Sequence, residues 1–168
     1  RQASSAAVVN YAHEGHVSLP IVEDASVPHE RLAEFMAVIE KVFAEHHLAV
    51  SAWGHAGDAH LHVYPLLDLA KLGDRQKALK LMHDYYKEVV ALGGSIAGQH
   101  NDGRLRAPFV SLQVGVDMMA VFEKVKQGFD PHGVLNPGVK TGTNIRQLID
   151  MLRKDYSLVH FSDHLPRT

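Results

Sequence analysis

The chain has 168 residues, 46% hydrophobic and 21% charged, which is the composition of a globular protein with room for one ordinary domain. Its formal net charge of −2 offers no global basic field for nucleic acid or an anionic membrane, and the lack of cysteine removes disulfides, thiolate metal sites and cysteine nucleophiles together. Histidine is the outlier, with 13 residues.

The opening "RQASSAAVVNYA" starts at Arg1 with helical character and no signal-peptide pattern, and reads as the start of a piece cut from a larger protein. No apolar run approaches the roughly 18 residues that span a bilayer, so the expected placement is cytoplasmic or peripheral to a membrane. "HVSLPIVEDASVP" (16–28) has a β-rich apolar centre closed by Pro28 and is expected as one strand, with Glu23 and Asp24 a solvated edge unless a partner surface recruits them. From His29, the three- and four-residue spacing of Leu32, Phe35, Met36, Ile39, Val42 and Phe43 predicts an amphipathic helix with one buried stripe. "LAVSAW" (48–53) and "HLHVYPLL" (60–67) are expected as strands of a hairpin turning at 56–59. Residues 74–94 form a second amphipathic pattern, with Asp74 as its cap and Gly93-Gly94 as its stop. The loop-rich stretch 95–110 opens on a short strand. Residues 115–130 predict a third helix, with Met118, Met119 and Phe122 in the core alongside Phe35 and Met36. Residues 131–140 are punctuated by Pro131, Gly133, Pro137 and Gly138 as two tight turns, and 144–153 has helical character inside a polar tail. This order describes an α+β fold, with helices on one face of an antiparallel sheet.

The unusual stretch is "WGHAGDAHLHVYP" (53–65). Alternation puts His60, His62 and Tyr64 on one face of a strand, and the turn brings His55 opposite His60 or His62. Neutral imidazoles converging from paired strands suit zinc, iron, manganese or nickel, with a carboxylate as the usual third ligand. Asp58 is a candidate to orient one of the rings; the competing reading is a hairpin of solvated histidines. In "GGSIAGQHNDGRLR" (93–106), His100 can serve as a general base near neutral pH. Arg104 and Arg106 alternate, so in an extended segment both point the same way and either can fork onto a carboxylate. No glycine loop of the common nucleotide-binding kinds is present.

Taken in order, "PIVEDASVP", "GHAGDAHLH", "GGSIAGQHNDGR" and "DPHGVLNPGVK" resemble the C-terminal domain of FAD-linked oxidases, the group of D-lactate dehydrogenase, glycolate oxidase and D-2-hydroxyglutarate dehydrogenase. The resemblance covers residues 1–140, with 141–168 left as a C-terminal tail. It implies a ferredoxin-like cap sheet and a return segment, lying over FAD held mainly by an N-terminal domain that this sequence does not contain. It also implies that His55, His62 and the position of Gln99 bind a divalent metal, zinc or manganese. His100 is then the base, Arg104, Arg106 and Tyr64 line a small 2-hydroxy acid substrate, and Asn136 approaches the flavin. No nucleic-acid partner is implied, and a homodimer is left open.

Departures from the family pattern concentrate at the site. Gln99 stands where the metal-binding glutamate is found, and a neutral amide is a poorer ligand. Tyr64 replaces an arginine, Asn101 and Ala59 replace glycines, and His60 replaces a frequent asparagine, which makes it a candidate substitute ligand. The expected function is therefore the cap portion of an FAD-dependent D-2-hydroxy-acid dehydrogenase, inert without flavin. Its alternatives are a degenerate cap acting as an interaction or regulatory module, and a free-standing metal-binding module.

Overall fold

The computed structural model describes residues 12–13 and 16–152. Five strands, β1 (Ala12–His13), β2 (His16–Ser18), β3 (Ala25–Ser26), β4 (Val50–His55) and β5 (His60–Leu67), form an antiparallel sheet. Four α-helices accompany it among the described residues: α1 (Leu32–Glu45), α2 (Leu72–Ala91), α3 (Val110–Phe129) and α4 (Ile145–Met151). The α+β expectation holds. The helical character expected at the start of the chain falls almost wholly outside the described residues.

β5 is the central strand and is buried along all eight residues. β4 pairs along one side of it, with His55 opposite His60, Trp53 opposite His62 and Ser51 opposite Tyr64. The other side is shared by β2 at the Leu66–Leu67 end and β3 at the His60–Leu61 end. The stretch 16–28 is thus not one strand as the sequence suggests. Between Ser18↔Leu66 and Ala25↔Leu61, six residues (19–24) stand against four (62–65), so two extra residues must leave the ladder. Pro20 lacks a ladder donor, and Asp24 takes a left-handed conformation with φ of 76°. The segment bulges out and returns two residues later in register.

Leu61, Val63 and Leu67 of β5 join the hydrophobic core with Phe35, Ile39, Val42 and Phe43 of α1 and Leu81, Met82, Tyr85 and Val89 of α2. Burying a side chain of this size stabilises the fold by about 1.5–3 kcal/mol, so this face fixes the register of β5. Once it is fixed, a two-residue period sends His60, His62 and Tyr64 to the opposite face.

The other expected elements follow the sequence with four corrections. α2 begins at Leu72 with Lys71 at its N-cap; Asp74 does not cap it but accepts the Asp68 N–H at 2.9 Å. α3 starts five residues earlier than expected and is broken at Gly115 (φ 78°). Met36 is exposed because it lies off the buried stripe of α1, and α3 buries Val110 alone, so Met118 is exposed and Met119 and Phe122 are half-buried rather than core. The short strand expected at 95 is a single bridge, Ser95 with Ser26. α4 forms where expected, with Asn144 and Gln147 closing a reciprocal capping box.

Candidate active site

The bulge and the bridge build the site together. Past Ser95, the chain runs along the outer side of β3, and Gly98 N–H donates to the Asp24 carbonyl. The next two amides, Gln99 N–H and His100 N–H, donate to the Asp24 carboxylate at 2.9 and 2.8 Å. His60 Nε2 contacts the same carboxylate at 2.9 Å, and the Arg106 guanidinium lies 3.2 Å from it. Asp24 is wholly buried. Burial pushes its carboxyl pKa upward, but the two backbone amides, His60 and Arg106 outweigh that and hold it below the ordinary aspartate value. A Cβ on Gly98 would stand 2.5 Å from the His60 ring, so only glycine lets the segment approach this closely.

Above this anchor lie two facing rings. His62, with no exposed surface, is stacked between Trp53 (centroids 4.1 Å apart) and His100 (4.9 Å, planes 28° apart). Burial lowers the His62 pKa, the neighbouring His60 and His100 lower it further, and Glu23 and Asp24 only partly compensate. The His62 imidazole is therefore neutral at neutral pH. Glu23, from the bulge, faces the Nδ1 edges of both rings: Oε2 lies 3.3 Å from His62 Nδ1, off the hydrogen-bonding line, and Oε1 lies 3.4 Å from His100 Nδ1. Tyr64 O–H donates to Glu23 Oε2 at 3.0 Å. Burial, and then the Glu23 charge, push the Tyr64 pKa far upward, so it stays a donor. On the opposite edge, Gln99 Nε2 lies 3.1 Å from His62 Nε2 and 3.3 Å from His100 Nε2.

The other residues singled out from sequence fall around this centre. His55 and His60 stack at 5.5 Å. Asp58 is exposed in the turn Ala56–Asp58, and Asp24 instead orients His60. Arg104 and Arg106 do not point the same way, because 101–106 is a turn rather than an extended segment. Arg106 is buried and donates to the carbonyls of Glu23 and Asn101, while Arg104 is exposed and its Nε donates to the Pro137 carbonyl at 2.8 Å. Asn136 is exposed in the return segment with φ of 45°. That segment docks on the same turn through Arg104, the Lys140–Asp102 ion pair and the Lys140 N–H to Gly103 carbonyl bond. Sequence reasoning placed His100, His62, Gln99 and Tyr64 near one another but missed the roles of Glu23, Asp24 and Trp53. The signal for the first two was a pair of adjacent acids inside an apolar strand beside a proline.

A cleft bordered by Pro20, Glu23, His100, Asn101 and Arg104 opens beside the rings. The arrangement suits proton transfer: a half-exposed imidazole, His100, is held against a carboxylate at one nitrogen, with its other nitrogen near an amide. Some of the same residues could also hold a cation. Among the described residues, two groupings bring three donor atoms within 4.8 Å of one another, His55/His60/His62 and Glu23/His62/His100. The His55/His62/Gln99 set fits less well, because Gln99 turns its amide nitrogen to the rings and that nitrogen has no lone pair to give.

The family model for the C-terminal domain of FAD-linked oxidases matches residues 1–139. The chain belongs to that family. It is 27% identical over 129 residues to glycolate oxidase subunit GlcD of Bacillus subtilis (77% of this chain, 27% of that protein). It is 34% identical over 116 residues to D-lactate dehydrogenase of Anaerostipes hadrus (68% of this chain, 24% of that protein). To D-2-hydroxyglutarate dehydrogenase of Escherichia coli it is 38% identical over 124 residues (71% of this chain, 12% of that protein). The chain thus spans about a quarter or less of the length of these relatives. As an FAD-linked oxidase domain it has no helix, among the described residues, long and apolar enough to cross a membrane.

Proposed function

We propose that this FAD-linked oxidase domain is the cap and return portion of a dehydrogenase that oxidises a D-2-hydroxy acid, working with an FAD-binding domain N-terminal to it. The observation that carries the reading is the placement of His100, half-exposed at the cleft with Glu23 at its Nδ1. The relatives named for glycolate, D-lactate and D-2-hydroxyglutarate support the substrate class. Bound FAD supplies the hydride acceptor. His100 takes the proton of the substrate hydroxyl at Nε2, while Arg104, exposed at the cleft with guanidinium nitrogens beyond the one on Pro137, attracts the substrate carboxylate. Tyr64 acts through Glu23. In this reading the cap is ferredoxin-like, its site face would lie toward the flavin, and Asn136 in the return segment would help hold it.

An exposed apolar stripe on α3 and beyond, with Met118, Val121, Val125, Phe129, Val134 and Leu135, supports docking onto the flavin-binding domain.

A second reading keeps a divalent cation, zinc or manganese, on His55 and His62 with Gln99 as a weak third ligand. The His55/His60/His62 grouping favours it, and it requires Gln99 to present its oxygen.

The test uses the intact flavin-carrying protein under anaerobic conditions, with flavin bleaching followed after mixing with D-lactate, glycolate or D-2-hydroxyglutarate. One of them is expected to bleach the flavin, and His100→Gln to slow the step by on the order of 10²–10⁴-fold. Flavin left oxidised by all three, or a His100→Gln protein that reduces at the wild-type rate, refutes the reading.

A further inference from the structure

Gln99 raises a question the proposed reaction does not answer: why a site built on facing imidazoles carries an amide between them. Its nitrogen is within hydrogen-bonding distance of both His62 Nε2 and His100 Nε2, at 3.1 and 3.3 Å. A primary amide nitrogen carries two hydrogens and accepts nothing. It can satisfy both rings at once only if both Nε2 atoms hold lone pairs, which puts the proton of each neutral ring on Nδ1.

The opposite edge makes the same demand independently. Both Nδ1 atoms face the Glu23 carboxylate, at 3.3 and 3.4 Å. Carboxylate oxygens only accept, and Tyr64 O–H already donates to one of them. Turning the Gln99 amide over would place its oxygen against the Nε2 atoms, move both ring protons to Nε2, and leave two imidazole lone pairs against a carboxylate. With His62 wholly buried, no solvent screens that repulsion. Glu23 therefore selects the amide nitrogen for the ring side.

We infer that the Gln99 carboxamide stands where a cation would otherwise bridge His62 and His100, so that this site holds its two imidazoles in working register without a metal. Two N–H donors do for the Nε2 lone pairs what a divalent ion would do, without its charge. The inference concerns the site of the proposed oxidation, and rests on that reading only for His100 Nε2 being the atom that takes the proton, which requires the substrate hydroxyl to displace the Gln99 N–H from that one lone pair. It removes the alternative in which Gln99 is a cation ligand.

The test is made on this 168-residue chain, untagged and chelator-treated, with no flavin or hydroxy acid present, so failure of the proposed reaction leaves it untouched. Zinc alone is titrated calorimetrically into wild type, Gln99→Glu and His62→Ala. Wild type is expected to show only the weak binding that survives in His62→Ala, and Gln99→Glu to gain a site on the order of 100-fold tighter through its new anionic ligand. Long-range ¹H–¹⁵N correlation spectra of the wild type are expected to show Nδ1–H tautomers at His62 and His100. A stoichiometric zinc site in wild type that His62→Ala abolishes, zinc binding equal in wild type and Gln99→Glu or absent from both beyond the His62→Ala level, or an Nε2–H tautomer at either ring would each overturn the inference. Because the tautomers are read on the wild type, a Gln99→Glu protein that fails to fold still leaves a decisive result.

Discussion

Replacing Asp24 by alanine is the sharpest test of how the site is held. Four donors end on this one buried carboxylate: the Gln99 and His100 amides, His60 Nε2 and the Arg106 guanidinium. Breaking a buried ion pair by removing one partner costs about 3–5 kcal/mol. The stranded amides overlap with that figure rather than adding to it in full, since all serve the same group. Alanine at φ of 76° adds about 1–2 kcal/mol of backbone strain. The expected loss is about 5 kcal/mol, a large part of the 5–15 kcal/mol typical of a folded domain. It corresponds to a fall in Tm of roughly 10–20 °C for a chain of this size. Asp24→Asn keeps one acceptor oxygen and tolerates the left-handed backbone, so about half that loss is expected. Urea unfolding followed by the fluorescence of the one tryptophan, Trp53, which stacks on His62, reads both variants at the site. An Asp24→Ala protein within about 1 kcal/mol of wild type would refute the claim that this carboxylate organises the site.

Acid should act in two windows. His62 has its folded pKa depressed, so the unfolded chain binds the proton first and stability falls as pH drops below about 6.5; the fall should be shallower in His62→Gln in pH-dependent thermal melts. Asp24 also has a depressed folded pKa, so its contribution is full above about pH 4 and is lost on further acidification, and the melts of Asp24→Asn should lack that step. Gly54→Ala would put a Cβ 2.2 Å from the His60 carbonyl and 2.9 Å from Leu61 Cα, both backbone, and should cost at least about 2 kcal/mol by urea unfolding. Asp130 accepts from the Val134 and Leu135 amides and from Lys126; Asp130→Ala should leave the far-ultraviolet spectrum unchanged but speed limited proteolysis within residues 131–135, and unchanged cleavage would sink that role.

β5 was legible to the residue, because an eight-residue β-rich run between a turn and Asp68 leaves one assignment. The facing of His60, His62 and Tyr64 followed from strand geometry alone. α1 was legible for the same kind of reason: its stripe of Phe35, Ile39, Val42 and Phe43 is buried as its spacing implies. The bulge at 19–24 was not legible. Its consequence depends on what lies opposite, and residues 62–65 are some forty positions away in the chain. Glu23 and Asp24 therefore looked like a wet edge, although one is wholly buried and the other points into the site. Arg104 and Arg106 misled because alternation has meaning only in extended backbone. The resemblance placed Gln99 beside the histidines, but the way its amide faces is set by Glu23 on the far edge of both rings, which no spacing along the chain reveals.

The two surplus residues in the bulge also make the site vulnerable in a particular way. A deletion of two positions between Leu19 and Asp24 would let the neighbouring ladder run unbroken along β5. It would regularise the pairing, and it would swing both acids out of the place they now hold. Selection for a sturdier sheet would thus erase the chemistry, and selection for the chemistry must keep tolerating a flawed sheet. Drift in this lineage should be read there first: a two-residue shortening before the acidic pair would announce loss of the site before any histidine had changed.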